Sequence, residues 1–515
     1  MNEPSNSFAG APPAAADGEA DRYRLMRAFV LLGALTAARA IYLTVHPFDL
    51  HPDEAQYWVW AQDLAFGYYS KPPLVAWLIA ATTSLCGDGE ACIRLSAPLL
   101  HMAAALAVYG TGHQLYNRRV GFWAALVYAT LPGVSFSTVV LSTDVPLLFC
   151  WSVALYGFVR ALQHNSWRWW LLTGASVGFG MLSKYAMLFF VISAGIYLLA
   201  ERRTVRATLP GTGPKLAAAL VLAGLIYLPN LLWNAANSYV SYAHTEDNVN
   251  LSGERFRLDT VFDFIGSQFG VFGPVLFAIL LVVLLRFPGW AGDRRRLLLV
   301  CFILPTLSLM IGQSFLSRAN ANWAAPVYVA AAVLVTAWVI GMAQAQDWRG
   351  RALWLTGSVL AHLAAITFLC VFLVATYGFP EALPGKADPF KRVRGWHELG
   401  ASINLARREL GELPILIDER KLMAGVLYYG RPWSADAVKW RPGRIYDHFD
   451  LTRPFVEPAP PRMMLVTERT DASEITSRFA HWDILAEIRT PIGIDRERVV
   501  RLYLLEGFLG YPSPG

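Results

Sequence analysis

About eleven apolar stretches, each near the ~20 residues that a helix needs to cross a hydrocarbon core, follow one another along most of this 515-residue chain. They fall near 27–46, 91–116, 119–140, 143–163, 168–182, 184–200, 214–233, 265–286, 297–316, 323–345 and 353–377. In a bilayer each span must satisfy its own backbone polar groups, so these stretches are expected to be helices. Composition agrees, with 55% hydrophobic and 16% charged residues against roughly 25% charged in soluble proteins. That leaves too little polar surface for several water-soluble domains. High apolar content without a short repeat also excludes a disordered chain, a coiled coil and a collagen-like fibre. Residues 73–86 (PLVAWLIAATTSLC) are too short and too Pro-led for a span. They read as a helix lying at the interface or re-entering it.

Charge divides the chain in two. Residues 1–378 hold 24 of the 44 Lys+Arg and 19 of the 38 Asp+Glu, and residues 379–515 hold the rest in about a third of the length. The expected fold is therefore mainly α: a polytopic membrane domain over 22–378, then a soluble domain over 379–515. In that last part, strand-like runs at 415–418, 462–467 and 499–506 alternate with helix-like ones, which suggests a small α/β domain. Residues 1–21 are Pro/Ala/Gly-rich and acidic and read as a disordered tail. They lack the positive region of a cleavable signal, so the first span is expected to be retained.

With the N-terminus inside, seventeen Lys and Arg fall in inner segments, and only Lys71, Arg94, Lys184, Arg255, Arg257 and Arg318 fall outside. This is the asymmetry of the positive-inside rule, and an odd number of spans puts 379–515 outside. The net charge of +6 is accounted for in this way, and no basic, aromatic-interleaved patch suggests nucleic acid. Two long outer loops result, 47–90 and 234–264. Ionisable groups gathered at one membrane face mark a site more often than they mark structure.

The first loop reads HPFDLHPDEAQYWVWAQDLAFGYYSKPPL. Pro52 suits a helix start, with Asp53 and Glu54 in the first turn. Adjacent helical positions point about 100° apart, so one carboxylate can face a cleft while the other caps or pairs. Lys71, held by prolines, is either a phosphate contact or a lysine snorkelling to the interface. Tyr57, Trp58, Tyr68 and Tyr69 either stack on a sugar or line the interface. Asp144 opens a span in STDVPLLF, with Ser142 or Thr143 as its cap, and is either a cap group or a site group. Lys184 lies in a tight outer turn. Arg318, Asn320, Asn322 and Trp323 stand at the outer start of a later span, where an arginine can grip a phosphate through two hydrogen bonds. His46 and His51 lack the further ligands of a metal site, so no metal ligands are assigned. Cys86 and Cys92 form either a short-loop disulfide or two thiols.

Asp-Glu just after the first span, K-P-P-L before the second and T-D-x-P-L at a later membrane entry together resemble the GT-C glycosyltransferases of family 39. That family includes the protein O-mannosyltransferases and the bacterial lipid A aminoarabinose transferase. The resemblance covers most of 26–345. It implies a sugar transfer, with inversion, from a polyprenyl-phosphate donor to an envelope acceptor, lipid A or other lipopolysaccharide, at the outer face of a bacterial inner membrane. Asp53 and Asp144 would be the acidic site residues and Lys71 the lysine on the lipid-linked phosphate. Lys184 and Arg318 would be further phosphate contacts, with Glu54, Tyr57, Tyr68, Tyr69 and Asn322 lining the substrate site. No cofactor is implied, and a divalent metal requirement is left open. The alternatives are a protein acceptor, a lipid-linked sugar transporter or flippase, and a receptor. A transporter would place its ionisable groups near the midplane, which counts against that reading.

Overall fold

The computed structural model describes residues 18–249, 257–286, 293–317, 319–341, 348–376, 391–493 and 496–511. Among these, six helices are long and apolar enough to cross a membrane: Tyr23–Val45, Glu90–Leu115, Asp144–His164, Thr212–Ala236, Arg294–Leu316 and Leu353–Phe372. Two bent pairs also qualify, Tyr185–Ala200 with Arg202–Thr208 at 77°, and Leu258–Phe272 with Pro274–Leu285 at 115°. Among the described residues, length and composition thus give six crossings, or up to eight, and three of the eleven expected runs form shorter or broken helices. The difference has local causes. The run 119–140 breaks into Arg118–Thr130 and Pro132–Ser137, because Pro132 has no N–H to give and holds Leu131 in an extended conformation. The run 168–182 is the 17-residue helix Trp167–Ser183. The run 323–345 starts in the 3-10 turn Ala321–Ala324 and becomes the 15-residue helix Val327–Gly341. Of the expected N-terminal tail, residues 1–17 lie outside the described residues, and Gly18 already opens a helix that runs to Val45.

The chain forms two compact units. The first draws on Met1–Thr44, Lys71–Val75 and Arg94–Leu369. Its core is aromatic and aliphatic, with Trp151 edge-on to Phe190 at 5.3 Å and Phe190 tilted against Phe302 at 4.9 Å. Helix Trp167–Ser183 packs on Thr212–Ala236 so closely that a Cβ at Gly174 would fall 2.2 Å from the Ala219 carbonyl oxygen. Small residues allow that approach where no hydrophobic effect drives helices together. The 115° bend also has a glycine at its centre. Gly273 has φ +89°, and a Cβ there would sit 2.2 Å from Nε2 of His362.

The second unit comprises Val45–Ser70, Ala76–Ile93 and Cys370–Gly515. The first loop, expected to stand with the membrane domain, therefore belongs to the same compact body as the C-terminal segment. Its framework is a five-stranded sheet in the order β2-β1-β3-β5-β4, formed by β1 (Ile415–Ile417), β2 (Val438–Lys439), β3 (Arg462–Thr467), β4 (Phe479–Gly493) and β5 (Arg496–Phe508). β1 runs parallel to β2 and β3, and β5 runs antiparallel to β3 and β4. All three strand-like runs read from sequence are strands, and β2 and β4 are additions. Leu416, Met463, Leu465, Tyr503 and Leu505 fill one side of the sheet together with Trp440 and Phe455.

Polar bonds explain why the first loop joins this body. The Asp49 carboxylate accepts from the Trp396 N–H at 2.7 Å, and the Asp49 N–H donates to the Val393 carbonyl. The Trp58 indole donates to Asp88 at 2.8 Å, and the Tyr428 hydroxyl donates to the Asp88 carbonyl. Cys86 and Cys92 are disulfide-bonded.

The bend at Gly273 sets up a paired test. Gly273→Ala forces a side chain into positive φ and onto His362, at a cost of about 1–3 kcal/mol. Gly270→Ala, in open space one turn earlier, is expected to be neutral or slightly stabilising. Apparent melting temperatures of the two variants in detergent should therefore separate, with Gly273→Ala the lower.

Candidate active site

Within the membrane unit, three segments far apart in sequence meet at one carboxylate. Asp144 lies in the first turn of its helix, where the dipole favours negative charge. Its Oδ1 accepts from Nζ of Lys184 at 2.7 Å, and its Oδ2 accepts from Nδ2 of Asn322 at 2.6 Å. The lysine is presented by the extended residue that ends helix Trp167–Ser183. The Ser183 hydroxyl fixes that turn by donating to the Thr143 carbonyl at 2.7 Å. Asn322 sits in the 3-10 turn Ala321–Ala324, and Gln268 donates to the Ala321 carbonyl at 3.3 Å. Tyr328 in turn donates to Gln268 and stacks on Phe272 at 4.5 Å. The Asp144 side chain is 9% exposed and that of Lys184 is 20% exposed. An ion pair so placed cannot lose one partner cheaply, because the other would remain as an uncompensated charge, at about 3–5 kcal/mol.

Lys71 falls in the same unit and is partly buried. Arg318 lies outside the described residues. Of the two hydroxyl residues expected to cap Asp144, Ser142 accepts from the Asp144 N–H at 3.2 Å, while the Thr143 side chain makes no capping bond.

Asp53 belongs to the second unit. Its Oδ1 accepts from Nη1 of Arg420 at 2.9 Å, and the same guanidinium nitrogen donates to Oε1 of Gln56 at 2.6 Å. Burial works against the charge of Arg420, but the Asp53 carboxylate, with Glu419 and Tyr57, more than offsets it, so the arginine pKa lies above its ordinary value. The two neighbouring acids divide their work as their spacing requires. Buried Glu54 closes a capping box by accepting the His51 N–H at 2.9 Å, while Asp53 is the more exposed. His51 Nδ1 accepts the Asp53 N–H, and burial pulls the pKa of this histidine down against the pull of Asp53 and Glu54. His46 Nδ1 likewise accepts a backbone N–H, from Phe48. Both histidines are thus occupied in local backbone capping, and among the described residues no group of three His, Cys, Asp or Glu side chains is placed to hold a metal.

The loop tyrosines turn inward. Tyr68 stacks on Trp60 at 4.5 Å, its hydroxyl donates to the Trp60 carbonyl, and burial pushes its pKa up to about 12. His448 closes edge-on against both rings, at 5.3 and 5.5 Å. Tyr57 packs against Trp60 at 5.1 Å and is buried, as is Tyr69. These positions place the tyrosines in the core of the unit rather than on an open sugar-stacking platform, and Glu54 in a helix cap.

Two features were missed in the sequence. Arg420, in a charged C-terminal stretch, gave no signal that it would meet Asp53. Asn230 and Asn234 gave one, since two amides four residues apart inside an apolar helix are rarely idle. Both are fully buried, and Tyr185, next to Lys184, lies 3.5 Å from an amide atom of each.

Residues 70–233 match the family described as dolichyl-phosphate-mannose-protein mannosyltransferase. The chain is 35% identical over 406 residues to the lipid A galacturonosyltransferase RgtD of Rhizobium johnstonii, covering 78% of this chain and 81% of that protein. It belongs to the GT-C glycosyltransferases of family 39. The lipopolysaccharide core galacturonosyltransferase RgtA of the same organism is 28% identical over 225 residues, 43% of this chain and 44% of RgtA. ArnT from Cupriavidus metallidurans shares the fold: its apo structure matches with a TM-score of 0.60 and its undecaprenyl-phosphate-bound structure with 0.62. Each shows 16% identity over 94% of this chain and 99% of ArnT. This family-39 chain is thus a multi-pass membrane glycosyltransferase, and the transporter and receptor readings fall away.

The buried histidine of the Trp60–Tyr68 cluster makes this region pH-sensitive. Burial takes the His448 pKa from an ordinary 6.5 to about 3. The unfolded chain therefore binds a proton that the folded one refuses, so stability is fully present above pH 6.5 and is lost as pH falls toward 3. Between pH 7.5 and 5.5, the wild-type melting temperature should fall by more than that of His448→Gln; equal falls would be contrary to this.

Proposed function

We propose that the enzyme transfers a hexuronic acid, galacturonic acid, from a polyprenyl-phosphate donor to lipid A, at the outer face of a bacterial inner membrane. The observation that carries this reading is the Asp144 carboxylate held by Lys184 and Asn322 at the mouth of an apolar helix. Similarity to the lipid A and lipopolysaccharide core galacturonosyltransferases and to ArnT bound to undecaprenyl phosphate supports this choice of sugar, acceptor and donor.

A polyprenyl-phosphate sugar keeps its tail in the bilayer and its phosphate at the interface. The acceptor oxygen forms a bond to the sugar C1 as the bond from C1 to the phosphate oxygen breaks, so the configuration inverts and polyprenyl phosphate leaves. Negative charge grows on that phosphate, where preorganised cations lower the barrier. Lys184, Lys71 and Arg318 are assigned this task, with Asp144 keeping the Lys184 ammonium oriented. Asp53 takes the proton of an acceptor hydroxyl. If the acceptor is an ionised phosphate, no base is needed and Asp53 orients it instead. Glu54, Tyr57, Tyr68 and Tyr69 support the shape of the first loop.

The proposed topology has a cytoplasmic N-terminus and eleven crossings. Arg118–Thr130, Trp167–Ser183 and Val327–Gly341 supplement the eight spans given by length, and the inner-side excess of arginine supports this count. Residues 379–515 then form a periplasmic α/β domain that the first loop joins, and the rest of 22–378 forms the transmembrane transferase domain.

Full-length enzyme in nanodiscs, given undecaprenyl-phosphate galacturonic acid and lipid A, should yield galacturonosylated lipid A detectable by mass spectrometry. Asp144→Asn and Lys71→Ala should each lower turnover by about 10²–10³ while remaining folded. Transfer to a serine/threonine peptide instead would move the acceptor to protein. Undiminished turnover in both variants would remove these residues from the site.

A further inference from the structure

The membrane unit contains a cavity of about 460 Å³ that the transfer reaction does not use. Its lining includes Tyr116, Arg286, Asp293, Arg295, Arg296 and Trp338. Asn322 precedes one end of helix Val327–Gly341, and Trp338 lies near the other end. At 1.5 Å per residue, the cavity is about 20 Å along that helix from the Asp144 cluster. The other walls are likewise helix ends: the close of Ser96–Leu115, the close of Pro274–Leu285 and the start of Arg294–Cys301. This is the arginine-rich side of the bundle, which the positive-inside rule makes cytoplasmic.

Among the described lining residues, three guanidinium groups stand against one carboxylate. Asp293 caps its helix by accepting the N–H groups of Arg295 and Arg296, and it holds both side chains through Nε, at 3.2 and 3.3 Å. The Arg295 guanidinium also lies over the Tyr116 ring, 5.1 Å from its centre. Asp293 therefore fixes the geometry of two cations with one negative charge, so positive charge exceeds negative among the described lining residues. Its volume falls in the range of small-ligand pockets, about 300–1,000 Å³, far above the space a single water needs. Tyr116 and Trp338 are ring types that settle at the headgroup level.

We propose that this cavity binds the phosphate of an anionic phospholipid headgroup from the adjacent leaflet. The guanidinium fork matches phosphate oxygens in pairs, and basic pockets between membrane helices on the cytoplasmic side suit such headgroups. A lipid is favoured over a free ion because the site is open at a helix-end boundary and offers more room than phosphate alone fills.

Delipidated full-length enzyme, titrated with dioleoyl-phosphatidylglycerol and followed by native mass spectrometry, tests this. Phosphatidylglycerol should bind about tenfold more tightly than phosphatidylcholine, and the Arg295→Gln/Arg296→Gln variant should lose that preference, since charge-assisted hydrogen bonds carry this scale of effect. Arg286→Gln, at the exposed rim, should weaken binding in the same direction and serves if the double variant does not fold. Arg168→Gln, an exposed arginine outside the lining, should bind as wild type does. Unchanged preference in the folded lining variants overturns the site. Displacement of the lipid by millimolar inorganic phosphate overturns the lipid as its occupant.

Discussion

The ion pair between Asp144 and Lys184 is the interaction on which the geometry of the candidate site in the membrane unit depends. It lies at the mouth of a helix with little water available, where an unpaired charge would be costly. Its partners come from positions 40 and 178 residues further along the chain. Holding them requires the Ser183 bond to Thr143, the 3-10 turn that presents Asn322, and the Gln268–Tyr328 link behind that turn. Packing, capping and hydrogen bonding thus converge on one carboxylate with both oxygens engaged. A carboxylate with both oxygens engaged holds its neighbour in one orientation, which supports the proposed use of Lys184 at a leaving phosphate.

The second unit solves a different problem. A loop of about forty residues between membrane segments would ordinarily be too mobile to hold an acid in place. Here Asp49, Trp58, Asp88 and the Trp60–Tyr68 stack tie the loop into the α/β body, and Arg420 reaches Asp53 from the helix after β1. The C-terminal domain thereby acquires a role that its sequence did not declare: it carries the arginine that pairs with and orients the first-loop carboxylate.

Much of the site was legible because membrane sequences make ionisable residues conspicuous. Asp144, Lys184 and Asn322 stand out against apolar runs, and the structure brings those three together. The split between Asp53 and Glu54 followed from the 100° step between adjacent helical positions. What escaped had no local signature. Arg420 lies among other charged residues, and its partner is 367 residues away. Tyr68 reads equally well as a sugar-stacking residue or as an interface aromatic, and only the structure shows it buried flat against Trp60. Pro132 breaks and Gly273 bends helices without interrupting the hydrophobic pattern, so helix length alone gives fewer spans than that pattern. β4 was missed because its alternating residues are mostly exposed, leaving little hydrophobic signal.

The most direct measurement is a double-mutant cycle on undecaprenyl phosphate affinity, using wild type, Asp144→Asn, Lys184→Gln and the double variant. If Asp144 acts by holding Lys184 on the phosphate, each single change should weaken binding and the double should add little, a coupling of about 0.5–3 kcal/mol. Additive losses, or tighter binding when the Asp144 carboxylate is removed, would contradict that role.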